Sequence, residues 1–114
     1  MSARLDIVTA VIRDDAGRML VVRKRGTAIF MKPGGKREPG EDDRTALARE
    51  LEEEIGCRLV EATLLDAFEA PAANEPGFLV RSATYLATVE GEIVLAPLMR
   101  CVLAALLARE PNPA

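Results

Sequence analysis

The chain has 114 residues, a formal net charge of −3, no histidine and two cysteines, which suits one small domain over residues 1–114 with a single core. No apolar run approaches the length of a membrane span, and no basic tract offers a footprint for duplex nucleic acid. Without histidine, Ser-His-Asp and Cys-His nucleophiles and His-based zinc sites are excluded, so proton transfer falls to carboxylate, Lys, Tyr or metal-bound water.

The N-terminal residues place Asp6 where the apolar core of a signal peptide would lie. Cys57 and Cys101 have no metal-binding or redox spacing and are expected to be small buried hydrophobes. These features fit a reduced, cytoplasmic protein.

In chain order, residues 7–13 are apolar and β-branched, as in a strand. Residues 14–18 supply turn chemistry, and residues 19–23 return as a second strand, so a hairpin is expected. A short strand is expected over 28–31, halted by Pro33, Gly34 and Gly35. A helix is expected over 42–55, strands over 59–69 and 78–89, and a loop over 71–77 between them. Residues 98–108 place Leu98, Met99, Val102, Leu103, Leu106 and Leu107 at helical spacing, which predicts a last helix before a frayed tail at 111–113. This order suits a mixed sheet with helices on both faces.

The 42–55 helix carries the chemistry. Leu47, Leu51 and Ile55 make its apolar stripe, with Ala48 beside them, and Gly56 supplies a C-terminal stop. Glu50, Glu53 and Glu54 stand at i, i+3 and i+4, so three like charges share a face. They also sit at the helix C-terminus, where the macrodipole already disfavours anions. On the helical wheel Glu54 falls beside Leu47, at the rim of the core, whereas Glu52 points toward solvent. A carboxylate at a core rim needs a partner, and a divalent cation with hard oxygen ligands answers both penalties.

From Gly35 to Cys57 the chain resembles the Nudix hydrolase family, whose signature is G-x5-E-x7-R-E-U-x-E-E-x-G-U with U a bulky aliphatic residue. Gly35, Glu41, Arg49, Glu50, Leu51, Glu53, Glu54 and Gly56 fill their places in register, and Cys57 replaces the last aliphatic residue. The resemblance covers about residues 5–94 and implies an α/β/α sandwich with a mixed β-sheet. In the family, the strand ending near Gly91 is usually followed by an acidic connector and a further strand before the final helix. Here 91–94 runs directly toward the 98–108 segment. The domain is therefore either trimmed before its C-terminal helix or its connector is not represented. Glu90 and Glu92 are weak substitutes for that connector's extra acid and are expected to face solvent.

The resemblance further implies Mg²⁺ or Mn²⁺ held by Glu50, Glu53, Glu54 and the Gly34 carbonyl, bridging phosphate oxygens and activating water. Arg49 would orient the acids, Lys36 would meet a phosphate, and Gly35 and Glu41 would support the loop, with an outer-ligand role for Glu41 second. Lys32 is equally well read as a solvated loop residue. The activity implied is hydrolysis of a nucleoside diphosphate linked to another group, first a nucleoside triphosphate, oxidised ones included. Dinucleoside polyphosphates, sugar nucleotides and NAD-like molecules stay open, as does a homodimer. The other reading is a catalytically silent Nudix fold that serves as a nucleotide-binding or interaction module.

Overall fold

A computed structural model describes residues 3–72, 76–95 and 99–104. Its elements are β1 (Ala3–Val11), β2 (Met19–Lys24), β3 (Gly34–Lys36), α1 (Asp43–Ile55), β4 (Arg58–Pro71), β5 (Phe78–Glu90) and β6 (Met99–Ala104). Strands β3, β1, β5 and β4 form a mixed sheet in that order, with β1 and β5 parallel and the other pairs antiparallel. A second sheet pairs β2 with β6. No described helix is long and apolar enough to cross a membrane.

Alternation along β1 decides which face meets the helix. Val8 and Ala10 are fully buried, as is Ala83 beside Val8 on β5, and with Ala87 they pack under Ala46, Leu47, Leu51 and Ile55 of α1. Thr9 and Thr84, paired in register, face the other way and share a hydrogen bond of 3.2 Å. Leu20 and Val22 of β2 join the same core, so both sheets and the helix enclose one hydrophobic cluster. Cys57 is buried in it, and its thiol is pushed above its ordinary pKa by burial, as expected of a packed rather than reactive thiol. Cys101 lies on β6, but its side chain is outside the described residues.

Local chemistry explains the ends of α1. Asp42 is the N-cap, its carboxylate accepting from the Thr45 N–H at 2.8 Å. Gly56 takes the left-handed conformation at φ 70° and donates its N–H to the Glu52 carbonyl. The observed helix agrees with the expected 42–55.

Three expectations are corrected. The hairpin of the first two strands forms only at its turn, where Asp14 N–H donates to the Arg18 carbonyl and Leu20 N–H to the Ile12 carbonyl. Beyond it the strands part, because β3 and β5 occupy both edges of β1 and leave β2 to pair with β6. The short strand at 28–31 reduces to a bridge between Met31 and Val22, with Ile29 and Phe30 exposed. A strand forms instead at Gly34–Lys36, across the expected break. Gly34 permits this: at φ 149° a Cβ would lie 2.0 Å from the Val8 carbonyl oxygen, so only glycine lets β3 approach β1.

The third correction concerns the last helix. Residues 99–104 are strand β6, in a six-residue antiparallel register from Lys24↔Met99 to Met19↔Ala104. An apolar run of this length fits strand or helix, and the open edge of β2 selects the strand. A strand therefore does follow the Gly91 region, formed by the residues expected to be helical. Residue 98, residues 105–108 and the tail at 111–113 lie outside the described residues, so α1 is the one helix among those described.

Candidate active site

The loop between β3 and α1 returns to the helix through one arginine. Arg49 donates from Nε to Glu41 Oε2 (2.7 Å) and from Nη2 to Glu41 Oε1 (2.9 Å), a two-pronged ion pair joining loop to helix. Nη2 also reaches the Lys36 carbonyl (2.9 Å), and Nη1 reaches Glu50 (3.0 Å) and Glu53 (3.4 Å). Glu41 accepts a further bond from the Glu38 N–H at 2.8 Å. The Arg49 hydrogen bonds, then the Glu38 N–H, hold the Glu41 carboxyl down to about 2. Arg49 is correspondingly raised, chiefly by Glu41.

Glu50 and Glu54 face a cavity of about 660 Å³. Its wall also includes Gly34, Gly35, Lys36 and Lys32, with Ile7, Thr9 and Met31 on the strand side. Glu54 accepts the Gly34 N–H at 3.0 Å. Glu50 lies against Gly35 so closely that a Cβ there would sit 2.4 Å from its carboxyl carbon. The glycine pair thus leaves room for one carboxylate and donates a backbone N–H to the other. Burial pushes the Glu50 carboxyl up, against the opposing pull of Arg49.

The three acids expected as one cluster divide in two. Glu50 and Glu54, one turn apart, line the cavity, while Glu53 is 60% exposed and leans to Arg49. The helix explains this: Glu54 lies about 40° from Glu50 on the core side, and Glu53 about 60° away on the other. Glu52 is exposed. Lys36 lines the cavity with an exposed side chain, and Lys32 lines it half-buried. Glu90 and Glu92 are exposed, and Glu90 pairs with Arg58.

Among the described residues, no three cysteine, aspartate or glutamate side chains converge as a ready-made metal cage. The donor chemistry nonetheless suits a hard cation in kind, since two carboxylates share one wall and burial disfavours the charged form of one of them. Mg²⁺ keeps several waters and commonly takes one or two carboxylates together with substrate phosphates. Glu50 and Glu54 meet that smaller requirement.

Sequence reasoning missed a second polar cluster. Asp43, the first residue of α1, accepts from Tyr85, Arg81 and Arg37, three residues far apart in sequence or hidden in the variable part of the loop. The only sequence signal was an acid in the first helical turn, which helix-dipole compensation explains without partners.

The NUDIX domain family matches residues 3–99, and the chain belongs to that family. An 8-oxo-dGTP diphosphatase of Haemophilus influenzae is 33% identical over 69 residues, covering 57% of this chain and 51% of the relative. The chain thus spans about half the length of that curated relative. The crystal structure of a MutT NUDIX hydrolase from Burkholderia pseudomallei superposes with a TM-score of 0.72 at 28% identity, covering 88% of this chain and 83% of that one. The solution structure of the E. coli ORF135 protein gives a TM-score of 0.75 at 23% identity, covering 90% and 74%. At that identity the likeness concerns the fold alone, and it agrees with the expected Nudix-like α/β/α sandwich with a mixed β-sheet, of which α1 is the one helix among the described residues.

Proposed function

We propose that this chain, as a single Nudix domain over 1–114, is a metal-dependent pyrophosphohydrolase. Its substrate would be a nucleoside diphosphate linked to another group, first a nucleoside triphosphate and its oxidised forms. One observation carries the reading: Glu50 and Glu54 share a cavity wall with Gly34, Gly35 and Lys36, in a space of about 660 Å³. That volume falls within the usual range for small-ligand pockets. The matched relative that acts on 8-oxo-dGTP supports a triphosphate substrate.

When bound, Mg²⁺ or Mn²⁺ would neutralise pyrophosphate charge and make a bound water more acidic. Glu50, Glu54 and the Gly34 carbonyl would hold it, with Glu53 contributing from the solvent side. Arg49 would fix the direction of the Glu50 carboxylate while Glu41 fixes Arg49. Lys36 would draw a phosphate into the cavity, and the apolar strand side, with Ile7 and Met31, would exclude water from the rest of the nucleotide.

The test is a nucleotide panel assayed with Mg²⁺ for release of phosphate or pyrophosphate. We expect pyrophosphate and a monophosphate from at least one triphosphate. The position of Glu53 outside the cavity is the observation that favours a silent nucleotide-binding module. Saturable nucleotide binding with no release from any member of the panel would establish that module instead.

A further inference from the structure

We propose that Asp43 is a positioning residue which, through Arg37, holds the loop from Lys36 to Glu41 as a fixed wall of the nucleotide cavity. This rests on the function proposed above and concerns Arg37 and Asp43, which stand at variable positions of the signature, with Arg81 and Tyr85 beyond it. Asp43 is only 12% exposed at its side chain, yet four bonds converge on its carboxylate. Oδ1 accepts from Arg37 Nη1 and Arg81 Nη1, each at 3.0 Å, and Oδ2 accepts from Tyr85 Oη (2.6 Å) and Arg81 Nη2 (3.1 Å).

Arg37 transmits this anchor to the loop at two further points. Its Nε donates to the Glu41 carbonyl at 2.9 Å, and its backbone N–H donates to the Asp6 carbonyl at 2.8 Å. Arg37 thereby spans both ends of the segment whose residues Lys36, Arg37, Glu38 and Pro39 line the cavity. Asp43 itself does not line it. Glu50 and Glu54 have contacts of their own, to Arg49 and to the Gly34 N–H. The clamp therefore acts on the loop part of the cavity lining, and on the binding of the nucleotide more than on its turnover.

Charge explains why an aspartate is needed. Arg37 and Arg81 donate to the same oxygen, and Asp6 stands 3.8 Å from Arg81 as the further acid. A neutral amide at position 43 would leave two guanidinium groups facing one weak acceptor. Its NH₂ would also oppose the donors of Arg81 or Tyr85. Arg37 would then lose its carboxylate anchor, loosening the part of the loop between Lys36 and Glu41, the two points that Arg49 holds.

Asp43→Asn and Tyr85→Phe separate this role from plain stabilisation. Tyr85→Phe removes one bond to Asp43 but keeps its charge and both arginines. Hydrogen–deuterium exchange of the 36–41 amides is measured on the chain without substrate. KM and kcat are measured well below the melting temperature of each variant, with the best triphosphate of the panel and Mg²⁺. Asp43→Asn is expected to speed exchange at 36–41 and to raise KM on the order of five-fold with kcat within about two-fold. Tyr85→Phe is expected to lower the melting temperature while leaving exchange at 36–41 and KM as in the wild type. Unchanged exchange and KM in Asp43→Asn, or equal shifts in both variants, overturn the proposal. If Asp43→Asn does not fold, Arg37→Lys replaces it, keeping the charge but losing the planar fork, with the same direction of change expected. A wild-type chain that hydrolyses no nucleotide overturns the proposed function, and the exchange measurement then decides the clamp by itself.

Discussion

Arg49 holds Glu41 through two parallel hydrogen bonds of 2.7 and 2.9 Å, so a residue of the loop before α1 is locked to the middle of the helix. The same guanidinium reaches Glu50 and the Lys36 carbonyl. One side chain thus ties the loop, the helix and a cavity carboxylate together, and two planar forks in register give the pair its geometric specificity. Arg49→Lys keeps the charge and loses the fork. Its expected outcome is a lower melting temperature and hydrolysis reduced about 10- to 100-fold, the usual cost of losing a group that orients a metal ligand. Wild-type turnover in Arg49→Lys would show that charge alone suffices.

The same pair predicts an acid dependence. Glu41 has a folded pKa of about 2 against an ordinary value of 4.5, so it is depressed on folding. A depressed carboxyl contributes stability that is present above the unfolded value and is lost as pH falls through the folded one. The difference in melting temperature between wild type and Glu41→Gln should therefore be full above about pH 4.5 and shrink toward pH 2. A difference that stays constant over that window would remove the pair as its source.

Helical position ranks the acids. Glu50→Gln should weaken Mg²⁺ binding and reduce turnover on the order of a hundred-fold, the scale of losing one preorganised electrostatic contact at a reacting centre. Glu52→Gln, on the exposed face, should keep both and change stability by no more than about 0.5 kcal/mol. Glu53→Gln should fall between them, because its side chain leans to Arg49 outside the cavity. Calorimetric Mg²⁺ titration and kinetics on the three variants check this order. Equal losses in all three would mean a diffuse acidic face.

Gly34→Ala tests the approach of β3 to β1. The added methyl would meet the Val8 carbonyl oxygen at 2.0 Å and force an unfavourable φ. Strain and overpacking together should cost about 3 kcal/mol or more, read as a reduced midpoint in urea. A midpoint within error of the wild type would mean that β3 need not sit where it does.

Metal should stabilise the folded chain by mass action. With Mg²⁺ about a hundred-fold above its dissociation constant, the gain is about 2.7 kcal/mol, visible as a higher melting temperature. Glu50→Gln should lose most of that increment. Superimposable melts with and without Mg²⁺ would oppose a metal site in the chain without substrate.

Much of α1 was legible from residue order because its determinants are local. Asp42 and Gly56 set the ends, Leu47, Leu51 and Ile55 set the buried face, and spacing turns Glu50 and Glu54 toward the loop and Glu52 to solvent, whereas Glu53, expected beside the first two, leans to Arg49 outside the cavity. The family could likewise be read from Gly35 to Gly56, because all its fixed positions fall within one loop and the helix that follows it. Strand partners were not legible in this way. β2 joins β6 because β1 has no edge left for it, and residues 99–104 become strand because β2 has an open one. The Asp43 cluster was equally hidden: Tyr85 and Arg81 reach it only once β5 lies parallel to β1 under the helix. Hydrogen bonds within a helix and at its caps connect residues four or fewer positions apart, so the chain carries them in its order. The pairing of β2 with β6 and the bond from Tyr85 to Asp43 connect residues some 40 to 85 positions apart, and competition among all the strands for partners decides them.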